Sequence, residues 1–372
     1  MDAVRLNIDG KEVITAAGNT ILMAARQAKI HIPTLCYHPR LPISGACRAC
    51  VVEVEGRPAL VASCAMPVAE GMVVHTKSER VLRARRLVVD LLLASGDHNC
   101  LMCQSNGACE LQEMAYELGV ETFRFPVDSP GYPKDTSNSM IERDLNKCIL
   151  CGRCVRACNE VQVNEVIDFG YRGGKAKIIT AWDLPYGESD CVFCGECVSV
   201  CPTGALTETQ AKFQGRPWEV KKVRTTCVYC GTGCQMELNV VDGRVVKVTT
   251  DYRHGPPNSG SLCVKGRFGY DFIHHPDRLT RPLIKENGEF RAVDWDEALF
   301  RVAKALLEIK EAHGPDSIAV LSSARCTNEE NYLMQKFTRG VIGTNNIDHC
   351  ARLCHSSTVA GLAAAFGSGA MT

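Results

Sequence analysis

Nineteen of the 22 cysteines in this 372-residue chain fall into five consecutive motifs with iron–sulfur ligand spacing. Pairs of the form C-x2-C also bind zinc, but runs of C-x2-C-x2-C-x3-C supply thiolates too densely for separate tetrahedral zinc sites. A secreted disulfide scaffold would be short and would begin with an apolar leader, whereas this N-terminus is polar. Several redox clusters in series indicate an electron conduit, and one 2Fe–2S and four 4Fe–4S clusters would hold about 18 iron atoms.

Length and composition limit the classes of protein to which the chain can belong. The length predicts two to four domains. A formal charge of zero gives no sign of a nucleic-acid partner. No run of eighteen apolar residues occurs, so we predict no membrane span; the best candidate, residues 87–94, is interrupted by Asp90. Reduced thiols and cluster assembly suit the cytoplasm, where we expect the protein to lie.

Residues 1–78 are expected to form a small β-grasp domain with ββαβ-like order. Turn dipeptides at Asp9-Gly10 and Glu55-Gly56 predict two hairpins. The predicted elements are strands over 4–8 and 13–15, a helix over 20–28, and strands over 51–54 and 59–61. Four cysteines in the loops suit a 2Fe–2S cluster. These cysteines are Cys36, Cys47, Cys50 and Cys64.

Residues 79–125 are expected to form a helical segment with a 4Fe–4S site. Ser78 can cap a helix that runs to about Ala94. Three cysteines follow, which leave one iron of a 4Fe–4S cube without a protein ligand: Cys100, Cys103 and Cys109. We predict that the nearby His98 fills that position. A water, a distant side chain, or a plain surface role for this histidine are the alternatives.

Residues 138–212 contain an internal repeat of C-x2-C-x2-C-x3-C. This is the pattern of bacterial two-cluster ferredoxins, in which the fourth cysteine of each run binds the other cluster. The first predicted ligand set is Cys148, Cys151, Cys154 and Cys201. The second is Cys191, Cys194, Cys197 and Cys158. Short turns within the runs are expected to aim backbone N–H groups at sulfur, which stabilises the reduced cluster.

Residues 220–276 carry a further motif of four cysteines on a small β-rich subdomain, and we expect a fourth 4Fe–4S cluster there. A hairpin is predicted around Asp242-Gly243. The predicted ligands are Cys227, Cys230, Cys234 and Cys263.

Residues 277–372 are expected to begin an α/β domain with a parallel sheet, because predicted strands and helices alternate. Helix starts are predicted at Asp294 and Thr327, and a buried strand over residues 318–321. Three cysteines remain outside the cluster motifs. Cys326 and Cys350 are predicted to be small buried residues, while Cys354 is followed by His355.

Several of these motifs resemble known families. The cysteine spacing of residues 1–78 resembles the N-terminal domain shared by the large iron–sulfur subunit of NADH:quinone oxidoreductase, Fe-only hydrogenases and cytoplasmic formate dehydrogenases. These families carry H-x3-C-x2-C-x5-C next, where this chain has Gly96 in the histidine position. The runs CVYCGTGC and GSLCVKGRFGYDF resemble the cluster domain of molybdenum- or tungsten-dependent bis-pterin oxidoreductases, formate dehydrogenases above all.

The resemblance implies roles for three residues. Lys265 matches a lysine that lies between cluster and pterin in that family. The run CARLCH matches the family pattern CAR-x-(Cys/Sec)-H, so Cys354 would bind molybdenum or tungsten held by two molybdopterin guanine dinucleotides. His355 beside it would shuttle a proton or tune the charge of the metal. Members of the family continue well beyond Thr372, so further sequence or another polypeptide is expected to complete the pterin-binding domains.

The chain as a whole resembles the N-terminal part of the catalytic subunit of a cytoplasmic NAD-dependent formate dehydrogenase. That family oxidises formate to carbon dioxide. No Rossmann glycine fingerprint occurs here, so the nicotinamide site, with a flavin, is expected on an iron–sulfur partner subunit. One alternative is an electron-wire subunit of a complex-I-like NADH dehydrogenase; another is a scaffold subunit with a degenerate pterin domain. Fe-only hydrogenases share the first three modules but need further cysteine motifs.

Overall fold

The chain folds into two compact units. The computed structural model describes residues 3–122 and 124–369. The first unit runs to Thr226 and resumes over Cys234–Asp271, while the second comprises Cys227–Gly233 and the chain from Phe272 onward. Within the described ranges, every helix is too short or too polar to cross a membrane.

A mixed five-stranded sheet forms the N-terminal domain. Its strands are β1 (Ala3–Ile8), β2 (Lys11–Ala16), β3 (Val51–Val54), β4 (Val61–Ala62) and β5 (Val73–His75). The strand order is β2-β1-β5-β3-β4, in which β1 and β5 run parallel and the other pairs antiparallel. Helix α1 (Ile21–Gln27), capped by Thr20, contributes Ile21 and Leu22 to the core beneath the sheet.

This sheet agrees with the β-grasp expectation and corrects it in two places. The hairpin around Asp9-Gly10 forms as predicted. The strand predicted over residues 59–61 instead begins at Val61, which pairs with Val52. The pattern also gave no indication of β5, because its pairing with β1 and β3 joins segments far apart in sequence.

Two helices pack together behind the first sheet. Helix α2 (Glu79–Ala94) begins at Ser78, whose hydroxyl accepts a hydrogen bond from the Val81 N–H. Helix α3 (Glu110–Glu117) follows the second cysteine motif. The two share one apolar core, which also takes in cysteines from the first and third motifs. Its members include Val89, Leu93, Leu111, Met114, Cys36 and Cys151.

The ferredoxin-like segment contains two short antiparallel strand pairs and two short α-helices. Strand β6 (Ile141–Arg143) pairs with β9 (Leu206–Glu208), and β7 (Ile167–Gly170) pairs with β8 (Lys177–Thr180), all antiparallel. Helices α4 (Arg153–Arg156) and α5 (Glu196–Val200) occupy equivalent places in the two halves of the repeat. A shared core joins the halves around Ile141, Tyr186 and Leu206.

The first unit ends with a three-stranded antiparallel sheet and a short helix. The strands are β10 (Lys221–Thr226), β11 (Gln235–Val241) and β12 (Arg244–Thr249), followed by α6 (Val264–Phe268). The hairpin between β11 and β12 turns at Asp242-Gly243, as the sequence predicts.

The second unit alternates strands and helices. The elements are β13 (Leu283–Glu286), β14 (Glu289–Ala292), α7 (Trp295–His313), β15 (Val320–Ser322), α8 (Asn328–Lys336), β16 (Ile347–His349), α9 (Ala351–Cys354) and α10 (Ser356–Phe366). The side chain of Asp294 caps α7, and Thr327 with Glu330 forms a reciprocal capping box at α8. Strands β15 and β16 pair in parallel, which agrees with the predicted parallel sheet.

Two burial predictions in this unit are wrong. The strand expected to be buried over residues 318–321 lies at Val320–Ser322, and Leu321 within it is 88% exposed. Cys326 and Cys350 are exposed rather than buried. Both cysteines lie outside the strands, Cys326 between β15 and α8 and Cys350 between β16 and α9.

Candidate functional site

The four cysteines of the N-terminal domain lie close together beneath its sheet. Cys36 follows α1, Cys47 and Cys50 precede β3, and Cys64 follows β4. Hydrogen bonds from the thiols of Cys47 and Cys64 lower the pKa of Cys36 to about 2, and the same contacts raise the pKa values of the two donors. Backbone N–H groups of Cys36 and Ala49 also donate to the Cys47 sulfur, at 3.3 and 3.5 Å. Four adjacent sulfurs amid N–H donors fit a 2Fe–2S cluster.

A cavity in the second module is lined by His98 together with all three cysteines of its motif, Cys100, Cys103 and Cys109. The His98 Nε2 lies 3.1 Å from the Leu92 carbonyl oxygen, so that nitrogen carries the proton. Nδ1 is then the atom available to a metal, and the hydrogen bond from Nε2 to the Leu92 carbonyl oxygen orients the ring. Burial lowers the pKa of His98, which favours the neutral imidazole that metals bind.

The structure explains why the histidine stands at position 98 rather than at 96. A Cβ at Gly96 would lie 2.2 Å from the backbone oxygen of Asn146. No side chain fits there without moving the backbone of the neighbouring segment. The histidine position of the related families is therefore closed in this chain, while His98 lines the cavity.

Two further cavities inside the ferredoxin-like segment are each lined by four cysteines. The first is lined by Cys148, Cys151, Cys154 and Cys201. The second is lined by Cys158, Cys191, Cys194 and Cys197. Each cavity thus takes three cysteines from one run and the fourth from the other, which is the exchange expected from the spacing. Cluster binding at these cavities stays a prediction.

The two halves of the repeat share one loop geometry. Leu150 and Phe193 both adopt the left-handed conformation, with φ of 51° and 50°. Their N–H groups donate to the sulfurs of Cys148 and Cys191, each at 3.4 Å. These contacts are of the kind predicted from the tight spacing, in which short turns direct backbone donors toward sulfur.

The electrostatics of the cavities suit a positively charged occupant. Burial raises the pKa of Cys148 to about 11 and that of Cys151 to about 12, and it raises the pKa values of Cys154 and Cys197 well above their ordinary range. No disulfide joins any of the 22 cysteines, all of which lie in the described ranges. Iron would stabilise the thiolates that burial disfavours, so each set of four sulfurs fits a 4Fe–4S cluster.

Arginine side chains join the cysteine loops to one another. The Arg156 guanidinium donates to the carbonyl oxygens of Cys36, at 2.7 Å, and Cys151, at 3.2 Å. These cysteines belong to the first and third motifs. Arg153 donates hydrogen bonds to the Tyr37 carbonyl oxygen, in the N-terminal domain, and to the Glu110 carboxylate, in the second module. The three predicted cluster sites are therefore held by shared hydrogen bonds.

A second arginine contact joins the fourth and fifth cysteine motifs. Arg267, on α6 just after Cys263, is 1% exposed and donates from Nε to the Cys194 carbonyl at 2.8 Å. Gly195 makes room for it, since a Cβ there would lie 2.2 Å from the Arg267 Cδ. Glu196 accepts from Arg40 and lies 3.5 Å from Arg267, so it balances part of the buried charge.

The remaining predicted site residues divide between the two units. Cys234, Cys263 and Lys265 belong to the first unit, with Lys265 exposed on α6. Cys227 and Cys230 belong to the second unit. Their joint role as cluster ligands stays a prediction.

Cys354 and His355 are exposed in the second unit, at the end of the short helix α9 that follows β16. Cys354 ends α9, and His355 lies between α9 and α10. The nearby Cys350 sulfur accepts a hydrogen bond from the Ala324 N–H at 3.3 Å, which lowers the pKa of that thiol.

Sequence reasoning missed three residues near the cysteine sites: Arg156, Arg267 and Tyr186. Arg156 and Arg267 lie within or next to cysteine motifs, but nothing in the spacing indicates that each also donates to a carbonyl oxygen more than 70 residues away. Tyr186 lines both cavities of the ferredoxin-like segment and carries no local motif at all.

Five protein-family descriptions match the chain in succession. They are the 2Fe-2S iron-sulfur cluster binding domain (residues 1–79), the NADH-ubiquinone oxidoreductase-G iron-sulfur binding region (85–124), the 4Fe-4S dicluster domain (147–205), the molybdopterin oxidoreductase Fe4S4 domain (220–275) and molybdopterin oxidoreductase (278–371).

Curated proteins match nearly all of the chain. It is 40% identical to the NADPH-Fe(3+) oxidoreductase subunit alpha of Geobacter sulfurreducens (strain DL-1 / KN400), over 95% of this chain and 41% of that protein. It is 33% identical to a provisionally named formate dehydrogenase of Staphylococcus aureus (strain USA300), over 98% of this chain and 40% of that protein. The chain thus spans about 40% of the length of these relatives.

A solved structure is similar over the greater part of the chain. It is the crystal structure of an NAD+-reducing [NiFe]-hydrogenase in the H2-reduced state, 35% identical with a TM-score of 0.54. The match covers 57% of this chain and 90% of that chain. The present chain is therefore built from 2Fe-2S and 4Fe-4S domains and the start of a molybdopterin oxidoreductase domain, which are domains of the NADH-ubiquinone oxidoreductase-G and molybdopterin oxidoreductase family.

Proposed function

We propose that this protein oxidises formate to carbon dioxide, as the N-terminal part of a formate dehydrogenase catalytic subunit. The observation that carries the proposal is the position of Cys354, exposed at the end of the short helix that follows the carboxyl end of a strand in a parallel pair. Ligands of open parallel sheets bind at the carboxyl ends of the strands. The provisionally named relative from Staphylococcus aureus supports formate as the substrate.

The reaction converts formate into carbon dioxide, one proton and two electrons. The C–H bond breaks, its proton leaves to a base, and its electron pair would leave to the two-electron acceptor that bound molybdenum or tungsten would supply. The Cys354 thiolate is a fitting soft ligand for molybdenum or tungsten, which would supply the two-electron chemistry when bound with two pterins. His355 follows directly in the chain and is the side chain that we assign to hold or release the proton.

The cysteines of the five motifs would hold the one-electron carriers. When bound, the clusters would store and pass single electrons. The protein contributes the four-sulfur sets, the N–H groups that face sulfur, and the arginines that join neighbouring loops. Lys265 lies two residues after Cys263, and its positive charge would stabilise negative charge arriving there.

We assign the nicotinamide site to a partner subunit that also binds a flavin. The sequence of this chain lacks the Rossmann glycine fingerprint. The similar hydrogenase is NAD+-reducing, which supports NAD as the final acceptor here. A cytoplasmic location suits both this acceptor and a chain rich in reduced thiols.

A second candidate is an electron-wire subunit that passes electrons from a reduced nicotinamide to another acceptor. The match of residues 85–124 to the NADH-ubiquinone oxidoreductase-G region favours it, as does the relative named NADPH-Fe(3+) oxidoreductase. In that case Cys354 would hold no active metal.

One activity assay separates the two candidates. The natively purified complex that contains this chain would be supplied anaerobically with formate and an artificial viologen acceptor, and separately with NADH or NADPH and ferric citrate. Formate-dependent viologen reduction supports the first proposal. Ferric reduction by a nicotinamide without any formate activity would overturn it in favour of the second.

A further inference from the structure

Tyr186 lies between the two cavities of the ferredoxin-like segment and lines both of them. The residue is 1% exposed. Its hydroxyl is buried and has no hydrogen-bond partner among the described residues. A buried hydroxyl without a partner is unfavourable, so native structures rarely keep one unless a ligand or water completes it.

The surroundings hold the ring of Tyr186 in place and leave the hydroxyl as a donor. Its backbone N–H donates to the Asp135 carboxylate at 2.9 Å, and the Arg143 guanidinium lies 4.5 Å from the ring centre. Arg143 in turn pairs with Asp135 at 3.1 Å. Burial raises the pKa of Tyr186, which keeps the phenol protonated. A cation over the ring face draws electron density from the phenol and strengthens its O–H as a donor.

Cysteine sulfurs are acceptors on the walls of both cavities. Cys154 lines the first cavity and Cys197 the second, as Tyr186 does both. We propose that the Tyr186 hydroxyl donates a hydrogen bond to a sulfur of a 4Fe–4S cluster bound in one of these cavities and stabilises its reduced form. This inference rests on the proposed binding of clusters by the two cysteine sets.

The expected consequence is a higher reduction potential for the cluster that accepts the bond. Reduction adds negative charge to a cluster, and hydrogen bonds to its sulfurs stabilise that charge. Tyr186 thus acts on the reduction potential of the adjacent cluster and contacts no substrate.

The test is an EPR-monitored redox titration of the natively purified protein and its Tyr186→Phe variant, which removes only the hydroxyl. At a fixed solution potential near the midpoint, we expect the ratio of reduced to oxidised cluster to fall about fivefold for at least one ferredoxin-type cluster. Tyr171→Phe is the matched control, because that tyrosine is 61% exposed and its hydroxyl bonds to Asp183. The control should leave every midpoint unchanged.

Unchanged midpoints in Tyr186→Phe, with full iron content, would overturn the role of the Tyr186 hydroxyl and leave the cluster assignment intact. Absence of both ferredoxin-type signals from the unaltered protein would overturn the cluster assignment and the inference with it. If the Phe variant loses iron, site-specific replacement of Tyr186 by a fluorotyrosine gives a second test. This more acidic phenol keeps the bond and should raise the same midpoint; an unchanged midpoint would contradict the inference.

Discussion

The two units of the chain differ in how much of their apolar surface they bury themselves. In the first unit the cysteine sites are enclosed by apolar cores, with Leu111 and Ile141 almost fully buried. In the second unit the long helices α7, α8 and α10 contribute no buried residue in the described ranges, and Phe300 is 71% exposed. The cysteines of the first four motifs are therefore buried or partly buried, while Cys263 and Cys354 are exposed.

This contrast separates two kinds of evidence. In the first unit, three predicted ligand sets line cavities, and the N-terminal set can be compared with the hydrogen bonds to its sulfurs. In the second, the assignment of Cys354 depends on its motif and on its place after β16. The variants below test the two units separately, from the largest expected effect to the smallest.

The largest effect is expected at Cys354. Cys354→Ala should reduce formate oxidation to background, because it removes the proposed thiolate ligand of the catalytic metal. All clusters should remain reducible by dithionite, since they belong to other cysteines. Cys326→Ala, an exposed cysteine of the same unit, should retain activity. Formate activity that survives in Cys354→Ala would refute the catalytic role.

The next effect is the loss of one cluster out of five. Cys158→Ala should remove the cluster of the second cavity, although Cys158 belongs to the first run of the repeat. About four iron atoms should be lost. The EPR spectrum of the reduced variant should then resemble that of Cys194→Ala and differ from that of Cys151→Ala. If the spectrum of Cys158→Ala instead resembles that of Cys151→Ala, the fourth cysteine of each run binds the cluster of its own run.

A pair of leucines tests the difference in burial directly. Leu111 is 1% exposed in the first unit, and Leu307 is 57% exposed in the second. Leu111→Ala should lower the free energy of unfolding by about 2–5 kcal/mol, whereas Leu307→Ala should change it by no more than about 0.5 kcal/mol. Denaturant unfolding followed by circular dichroism measures both. Similar losses in the two variants would mean that Leu307 is covered in the working protein.

The smallest effect is expected at His98. His98→Ala should shift the EPR spectrum and midpoint of a single 4Fe–4S cluster, because it removes the proposed imidazole ligand while three cysteines remain. His31→Ala is the matched control, since that ring is exposed and pairs with Glu117. An unaltered spectrum and midpoint in His98→Ala would leave His98 without a ligand role.

Local patterns account for the parts of the fold that the sequence predicts well. The turn at Asp9-Gly10, the cap at Ser78 and the capping box at Thr327 each depend on residues within a few positions of one another. Short runs with fixed spacing likewise leave the chain few ways to place four sulfurs around one cavity, and cluster binding by these cysteine sets stays a prediction.

Contacts between distant segments account for what the sequence does not predict. The pairing of β5 with β1 and the bond from Arg156 to the Cys36 carbonyl join residues that share no periodic pattern. The exposure of Cys350 was mispredicted from residue type, since cysteine is usually buried but here precedes α9 on an uncovered surface. The place of Tyr186 between two cavities likewise follows only from the assembled fold.

The most direct test of the central claim is the metal content of the natively purified protein that contains this chain. Inductively coupled plasma mass spectrometry would count iron, molybdenum and tungsten per copy. The account predicts about 18 iron atoms from this chain, together with close to one atom of molybdenum or tungsten. Full iron with neither of the heavier metals would contradict the formate dehydrogenase proposal and leave an electron wire. Iron well below that number would contradict the cluster assignments themselves.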